Sequence, residues 1–153
     1  MKLIQTGLVV FLLCFTMSSY ADNGMVTKAS AYSVAETLDR FSSIIKKKGI
    51  IQFARINHAQ GAKKVGLSLR PLELIIFGKP QMGSPLMNIN PEIAIDLPLK
   101  AIAWQDKDGK VWLAYNSPAY IAKRHSISAQ HPVIKKMTGA LNKFSDYATK
   151  AAH

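Results

Sequence analysis

Leu99–Tyr115, LKAIAWQDKDGKVWLAY, is the stretch on which the fold turns. Leu99 to Trp104 and Lys110 to Tyr115 are rich in aliphatic and aromatic residues and read as strands. Asp106-Lys107-Asp108-Gly109 between them is a turn signal, with a glycine free to take the positive φ that tight hairpins need. Strands joined so closely must run antiparallel, because a parallel pair needs a crossover of a dozen residues or more. Upstream, Leu72 to Phe77 (LELIIF) reads as a buried strand closed by Gly78 and Pro80, and Ile50 to Ile56 (IIQFARI) as another. Met25 to Ser30 reads as a short first strand. Between the second and third, Asn57 to Val65 is small and polar and suggests a loop with a turn or two of helix. Residues 78–98 carry Pro80, Pro85, Pro91 and Pro98, so short helical turns are expected there rather than one long element.

Helices flank this series. Ser33-Val34-Ala35-Glu36 matches a capping box, in which hydroxyl and carboxylate each satisfy a free backbone N–H. Val34, Leu38, Phe41 and Ile45 then recur at spacings of four, three and four, one stripe of a helix spanning about 33–48. Lys46 to Lys48 suit the negative end of its dipole and Gly49 its termination. Ser117-Pro118 opens a short helix to about Arg124. His131-Pro132 opens a last one over about 132–148, with Val133, Met137, Ala140, Leu141, Phe144 and Ala148 as its stripe. The expectation is an α+β domain, an antiparallel sheet with two main helices packed on one face.

Residues 1–21 read as a cleavable export signal. Lys2 supplies the positive charge, Leu8 to Phe15 the apolar core, and Ser19 and Ala21 the small residues before a cut that leaves Asp22 first. The apolar run is far short of the roughly 20 residues that span a bilayer, and Leu12 and Leu13 before Cys14 do not suit a lipid-attachment site. An expected periplasmic or secreted chain of about 130 residues is one domain. It would have no cysteine, since the one in the sequence is Cys14, and hence no disulfide, catalytic thiol or thiolate metal site. The formal net charge is +11. That excess suits an anionic envelope surface as a partner, whereas the lysines are scattered without the aromatic neighbours that stack bases, so no nucleic acid is expected.

At this point a resemblance becomes visible in the residues. Gly61-Ala62, Gly66-Leu67-Ser68-Leu69-Arg70-Pro71, Phe77-Gly78-Lys79-Pro80, Pro85-Leu86-Met87, Asp96-Leu97-Pro98-Leu99-Lys100, Tyr115-Asn116-Ser117-Pro118-Ala119-Tyr120 and Arg124-His125 occur in that order. The series resembles the bacterial domain-of-unknown-function family numbered 302. The resemblance implies a TATA-binding-protein-like arrangement, long helices across a curved antiparallel sheet, and no particular reaction. Leu72 and Lys79 stand where that pattern leads one to expect Thr and Asn.

Chemistry-bearing motifs are thin. Gly78 to Gly83 has the glycine spacing of a phosphate loop, but Ser84-Pro85 replaces its Lys and Ser/Thr. Asp106-Lys107-Asp108-Gly109 lacks the later acids of a calcium loop. There is no Gly-x-Ser-x-Gly and no His-Glu-x-x-His. Three site readings follow. The first is a non-catalytic groove between sheet and helix for a small apolar ligand or a protein partner. Phe53, Phe77, Ile102, Trp104, Trp112, Met137 and Phe144 would line it, with Arg70 and Glu73 as polar contacts. The second is a copper site from His58, Met82, Met87 and His125, soft thioethers with imidazole. The third is an enzyme site centred on Glu73 and His125. Glu73 lies in an apolar strand on the face of Ile75 and Phe77, where a carboxylate needs a cation, and Arg70 or Lys100 is the expected one. The preferred reading is the binding domain, without catalytic residue or cofactor, and with self-association through the exposed Pro118–Arg124 helix as an option.

Overall fold

β4 (Leu99–Gln105) and β5 (Val111–Asn116) form the expected hairpin, with Ala101 opposite Tyr115 and Trp104 opposite Trp112. At its tip Gly109 takes φ +81°. Asp106 fixes the turn by accepting from the N–H groups of Asp108 and Lys110 through Oδ1 and from Trp112 Nε1 through Oδ2 at 2.7 Å. The computed structural model describes residues 23–151, so the expected export segment 1–21 and His153 lie outside the described residues. With β1 (Met25–Ser30), β2 (Ile51–Asn57) and β3 (Leu72–Gly78), the hairpin completes a five-stranded sheet in the order β1-β5-β4-β3-β2, every neighbouring pair antiparallel.

Two helices cover one face. α1 (Val34–Lys47) starts where the Ser33 hydroxyl accepts from the Glu36 N–H, and Gly49 at φ +66° turns the chain into β2. α5 (Pro132–Thr149) starts where the His131 ring accepts from the Val133 N–H. Leu38, Phe41 and Ile45 of α1 and Leu141, Phe144 and Ala148 of α5 close on Ile75, Phe77, Ala101, Ala103, Leu113 and Tyr115 of the sheet. Phe41 meets Phe77 edge to face at 5.1 Å between ring centres. Each such fully buried aliphatic or aromatic side chain contributes about 1.5–3 kcal/mol. On α5 the expected stripe of Met137, Leu141, Phe144 and Ala148 is buried, with Ala140 half-buried. At its start Ile134 is buried and Val133 only half-buried, because Ile134, Met137 and Leu141 stack at spacings of three and four.

A second, smaller core fills one end of the molecule. The proline-rich stretch does break into short pieces, α3 (Pro80–Ile89) and a 3-10 turn (Pro91–Ile95). With α4 (Pro118–Arg124) and the first half of α5 they enclose Leu86, Ile93, Leu97, Ile121, Ile127, Ile134 and Met137. α2 (His58–Lys64), at the other end, buries no residue of its own.

Candidate functional site

An apolar cavity of about 210 Å³ lies where the two cores meet. Its floor is the Gly78 end of β3 with Phe77, and the start of β4 with Leu97, Pro98 and Leu99. One wall is α3 with Met82, Gly83 and Met87, the other α5 with Met137, Ala140, Leu141 and Phe144. The lining runs from fully buried Leu141 to exposed Phe53, Pro80 and Ser84, so the cavity is open to solvent at that side. Three flexible thioethers, Met82, Met87 and Met137, give walls that can adapt to an occupant's shape. Lys79 is the one charged residue of the lining, and among the described residues it makes no ion pair. Its Nζ sits beside Gly49, at the end of α1 that carries Lys46, Lys47 and Lys48.

Of the expected groove residues, Phe53, Phe77, Met137 and Phe144 line this cavity. Ile102, Trp104 and Trp112 do not. Strict alternation along β4 and β5 turns them to the opposite face of the sheet, away from both helices. Arg70 and Glu73 are also elsewhere. Glu73 opposes Ala103 while Phe77 opposes Leu99, four residues along the strand, or about 13 Å at the usual rise.

Glu73 is buried, as its strand position requires, and its cation is Arg55 rather than Arg70 or Lys100. Arg55 Nε donates to Glu73 Oε2 at 2.7 Å, and Asn57 Nδ2 donates to Oε1 at 3.1 Å. The same guanidinium pairs with Asp39 of α1 and donates to the Ala35 carbonyl at 3.1 Å. Burial alone would weaken the Arg55 charge, but the hydrogen bonds to Asp39 and Glu73 outweigh it and hold its pKa above the ordinary value. Arg70 donates instead to the Gln105 carbonyl and Lys100 to that of Pro98.

His125, the residue that ends α4, is 5 % exposed and bonds through Nε2 to Asp96 Oδ2 at 2.6 Å. Arg124 reaches the other carboxylate oxygen at 3.3 Å, and Asn90 donates to the His125 carbonyl at 3.1 Å. These bonds tie α4 to the 3-10 turn. Glu73 and His125 thus belong to separate networks at opposite ends of β3 and β4, each satisfied by its neighbours, and the enzyme arrangement centred on both does not assemble. The copper set does not assemble either. Met82 and Met87 share the cavity, but His58 begins α2 beyond the far end of β2, and His125 is engaged by Asp96. Lys79, Ala140 and Leu97 line the cavity although the sequence did not assign them to a groove. The lysine carried one signal, its place on a glycine- and proline-bounded turn.

The family described as "Domain of unknown function DUF302" matches residues 26–144, and the chain belongs to that family. A crystal structure titled as an uncharacterized conserved DUF302 protein from Bacillus stearothermophilus shares the fold, with a TM-score of 0.73. Its 17% identity extends over 82% of this chain and 98% of that one. Among curated proteins, "Fluoride-specific ion channel FluC 1" of Brucella suis is 47% identical over 133 residues, 84% of this chain and 52% of that protein. The "Fluoride-specific ion channel FluC 2" of Brucella melitensis is equally similar over 49% of its length. The chain therefore spans about half the length of these relatives, and the name belongs to the whole proteins.

Proposed function

We propose that this DUF302 domain is a non-catalytic binding module, active outside the cytoplasm, that holds a small apolar molecule with an anionic end. The observation that carries the reading is the open, methionine-walled cavity with Lys79 as its single charge. Its volume is below the roughly 300–1,000 Å³ typical of sites for drug-sized ligands, so a short chain or a single ring fits better than a large molecule. Apolar contact would supply most of the affinity, at about 25 cal/mol per Å² removed from water. Lys79 and the lysines ending α1 would select the anionic head.

The test is a calorimetric titration of the chain from Asp22 onward with octanoate and, in parallel, octanol. Octanoate should bind more tightly, and Ala140→Phe, which fills the cavity from α5, should abolish binding of both while the protein still melts cooperatively. Absence of binding by either probe, or full binding by Ala140→Phe, would overturn the reading. For the compartment, the chain recovered from the periplasm should begin at Asp22. An intact Met1 in the cytoplasmic fraction would refute export.

A further inference from the structure

The side chains around the cavity are of two chemical kinds that suit a flat ring. Phe53, Phe77 and Phe144 supply three aromatic rings, and Met82, Met87 and Met137 three thioether sulfurs. Phe77 already has a ring partner in Phe41, edge to face. Phe53 and Phe144, among the described residues, have none. Phe53 is set at the mouth by an irregularity of the backbone. The β2–β3 ladder skips it between Gln52 and Ala54, and a bulge of this kind re-aims a side chain. The residue is 51% exposed, a large apolar ring half in solvent. Its ring edge lies against Gly78, where a Cβ would stand 3.4 Å from Phe53 Cε2 and from Pro98 Cβ, so both side chains close on bare backbone there.

On the binding-module reading, on which this rests, we infer that the ligand is a single-ring arene bearing a carboxylate on a short chain, its ring seated among the methionines and covered by Phe53. Size admits it. An apolar cavity of roughly 150 Å³ holds benzene, and this one, at about 210 Å³, has room for a ring and a short side chain. Sulfur favours a ring over an alkyl chain, because a thioether gains by lying near an aromatic edge. The unpartnered rings of Phe53 and Phe144 favour it again, through offset or edge-to-face contact with a third ring. Lys79 selects the acid: it is half-buried, and among the described residues its ammonium has no ion pair. A saturated ring of the same carbon count is at least as apolar, so removal of area from water gives the arene no advantage over it. A preference for the arene therefore reports the sulfurs and rings of the wall.

The test compares 3-phenylpropanoate with 3-cyclohexylpropanoate by calorimetric titration, with octanoate as the reference for the cavity itself. The phenyl acid should bind at least about fivefold more tightly than the cyclohexyl acid. Met82→Leu with Met87→Leu keeps volume while removing two sulfurs, and Phe53→Leu removes the ring at the mouth. Each set should bring the ratio close to one and leave octanoate affinity within about twofold of wild type, which also shows that the variants are folded. In the wild-type protein the phenyl acid should displace the methyl proton resonances of Met82, Met87 and Met137 by its ring current, while Met25, on β1 and outside the cavity lining, stays in place. If octanoate binds but the cyclohexyl acid equals or exceeds the phenyl acid, the aromatic assignment is overturned and the binding module stands. A preference that survives both sets of substitutions unchanged would overturn it as well. Binding of none of the three acids would overturn both readings together.

Discussion

Arg55 joins three segments with one guanidinium: β2 by its own place, β3 through Glu73, and α1 through Asp39 and the Ala35 carbonyl. Removing one partner of a buried pair leaves an uncompensated charge and costs about 3 kcal/mol or more, whereas replacing both by apolar groups is often neutral. Arg55→Met should therefore lower urea-unfolding stability by about 3 kcal/mol, and Arg55→Met with Glu73→Leu should recover most of the loss. If the double variant is as unstable as the single one, Glu73 is not the reason for the cost. The need of Glu73 for a cation was legible from a carboxylate inside LELIIF, but the identity of that cation was not. The ladder slips between Gln52 and Ala54, so Phe53 is an extra residue and Gln52, Arg55 and Asn57 share the face of Glu73. A bulge is invisible to simple alternation. A second residue-scale expectation concerns Asp106. The Trp112 indole N–H foremost, against a smaller opposing effect of desolvation, and then the turn's backbone N–H groups hold its carboxyl below the ordinary carboxylate value of about 4. A depressed folded pKa gives stability that is complete above that value and is lost as pH falls through the lower folded one. Acid titration followed by tryptophan emission should thus show the hairpin loosening only below about pH 4. Asp106→Ala should remove this acid-dependent step, and a transition centred near neutrality would contradict it.

α1 and α5 divide between stability and binding, although both show one apolar stripe. Leu38 is wholly buried in the main core and does not line the cavity. Leu38→Ala should cost about 2–5 kcal/mol in urea unfolding and leave octanoate affinity intact in the folded protein. A loss of affinity without loss of stability would mean that the cavity extends under α1. The helices were readable because caps, spacing and terminal lysines all agreed, as did the strand identities and the hairpin. The cavity was not readable in the same way. It depends on α3 standing off from α5, and a string of prolines and glycines announces short turns without saying how they pack. The tryptophans were misplaced for a related reason. An aromatic residue in a strand reads as core on either face, and only the register of β4 with β5 puts Trp104 and Trp112 opposite each other on the outer side.

For the whole molecule, the excess of basic residues was plain from composition, whereas its arrangement depends on how α1 and α5 lie. Arg40 of α1 donates to the Tyr147 carbonyl at 2.9 Å, and the Tyr32 hydroxyl just before α1 donates to that of Lys150 at 3.2 Å, so the helices run antiparallel. The lysine-rich end of α1 therefore points toward the start of α5. Lys46, Lys47 and Lys48 are exposed there, as Lys135, Lys136 and Lys143 are on α5, and among the described residues none of these six forms an ion pair. Four acidic side chains are engaged elsewhere: Asp146 with Lys28 and Lys150, Asp39 and Glu73 with Arg55, Asp96 with Arg124 and His125. A basic end this concentrated, beside the mouth of the cavity, should adsorb to anionic vesicles, each lysine near the surface contributing about 1 kcal/mol. The attraction should fade as the screening length shrinks from ~10 Å at 0.1 M salt to ~3 Å at 1 M. Co-sedimentation with phosphatidylglycerol-containing vesicles should therefore be strong at low salt and lost near 1 M. Lys46, Lys47 and Lys48 changed together to Gln should weaken it at least tenfold, while Lys63→Gln with Lys64→Gln, on α2 at the other end, should matter far less. Equal effects from the two sets would mean that net charge alone drives adsorption and that its clustering beside the cavity has no part in it.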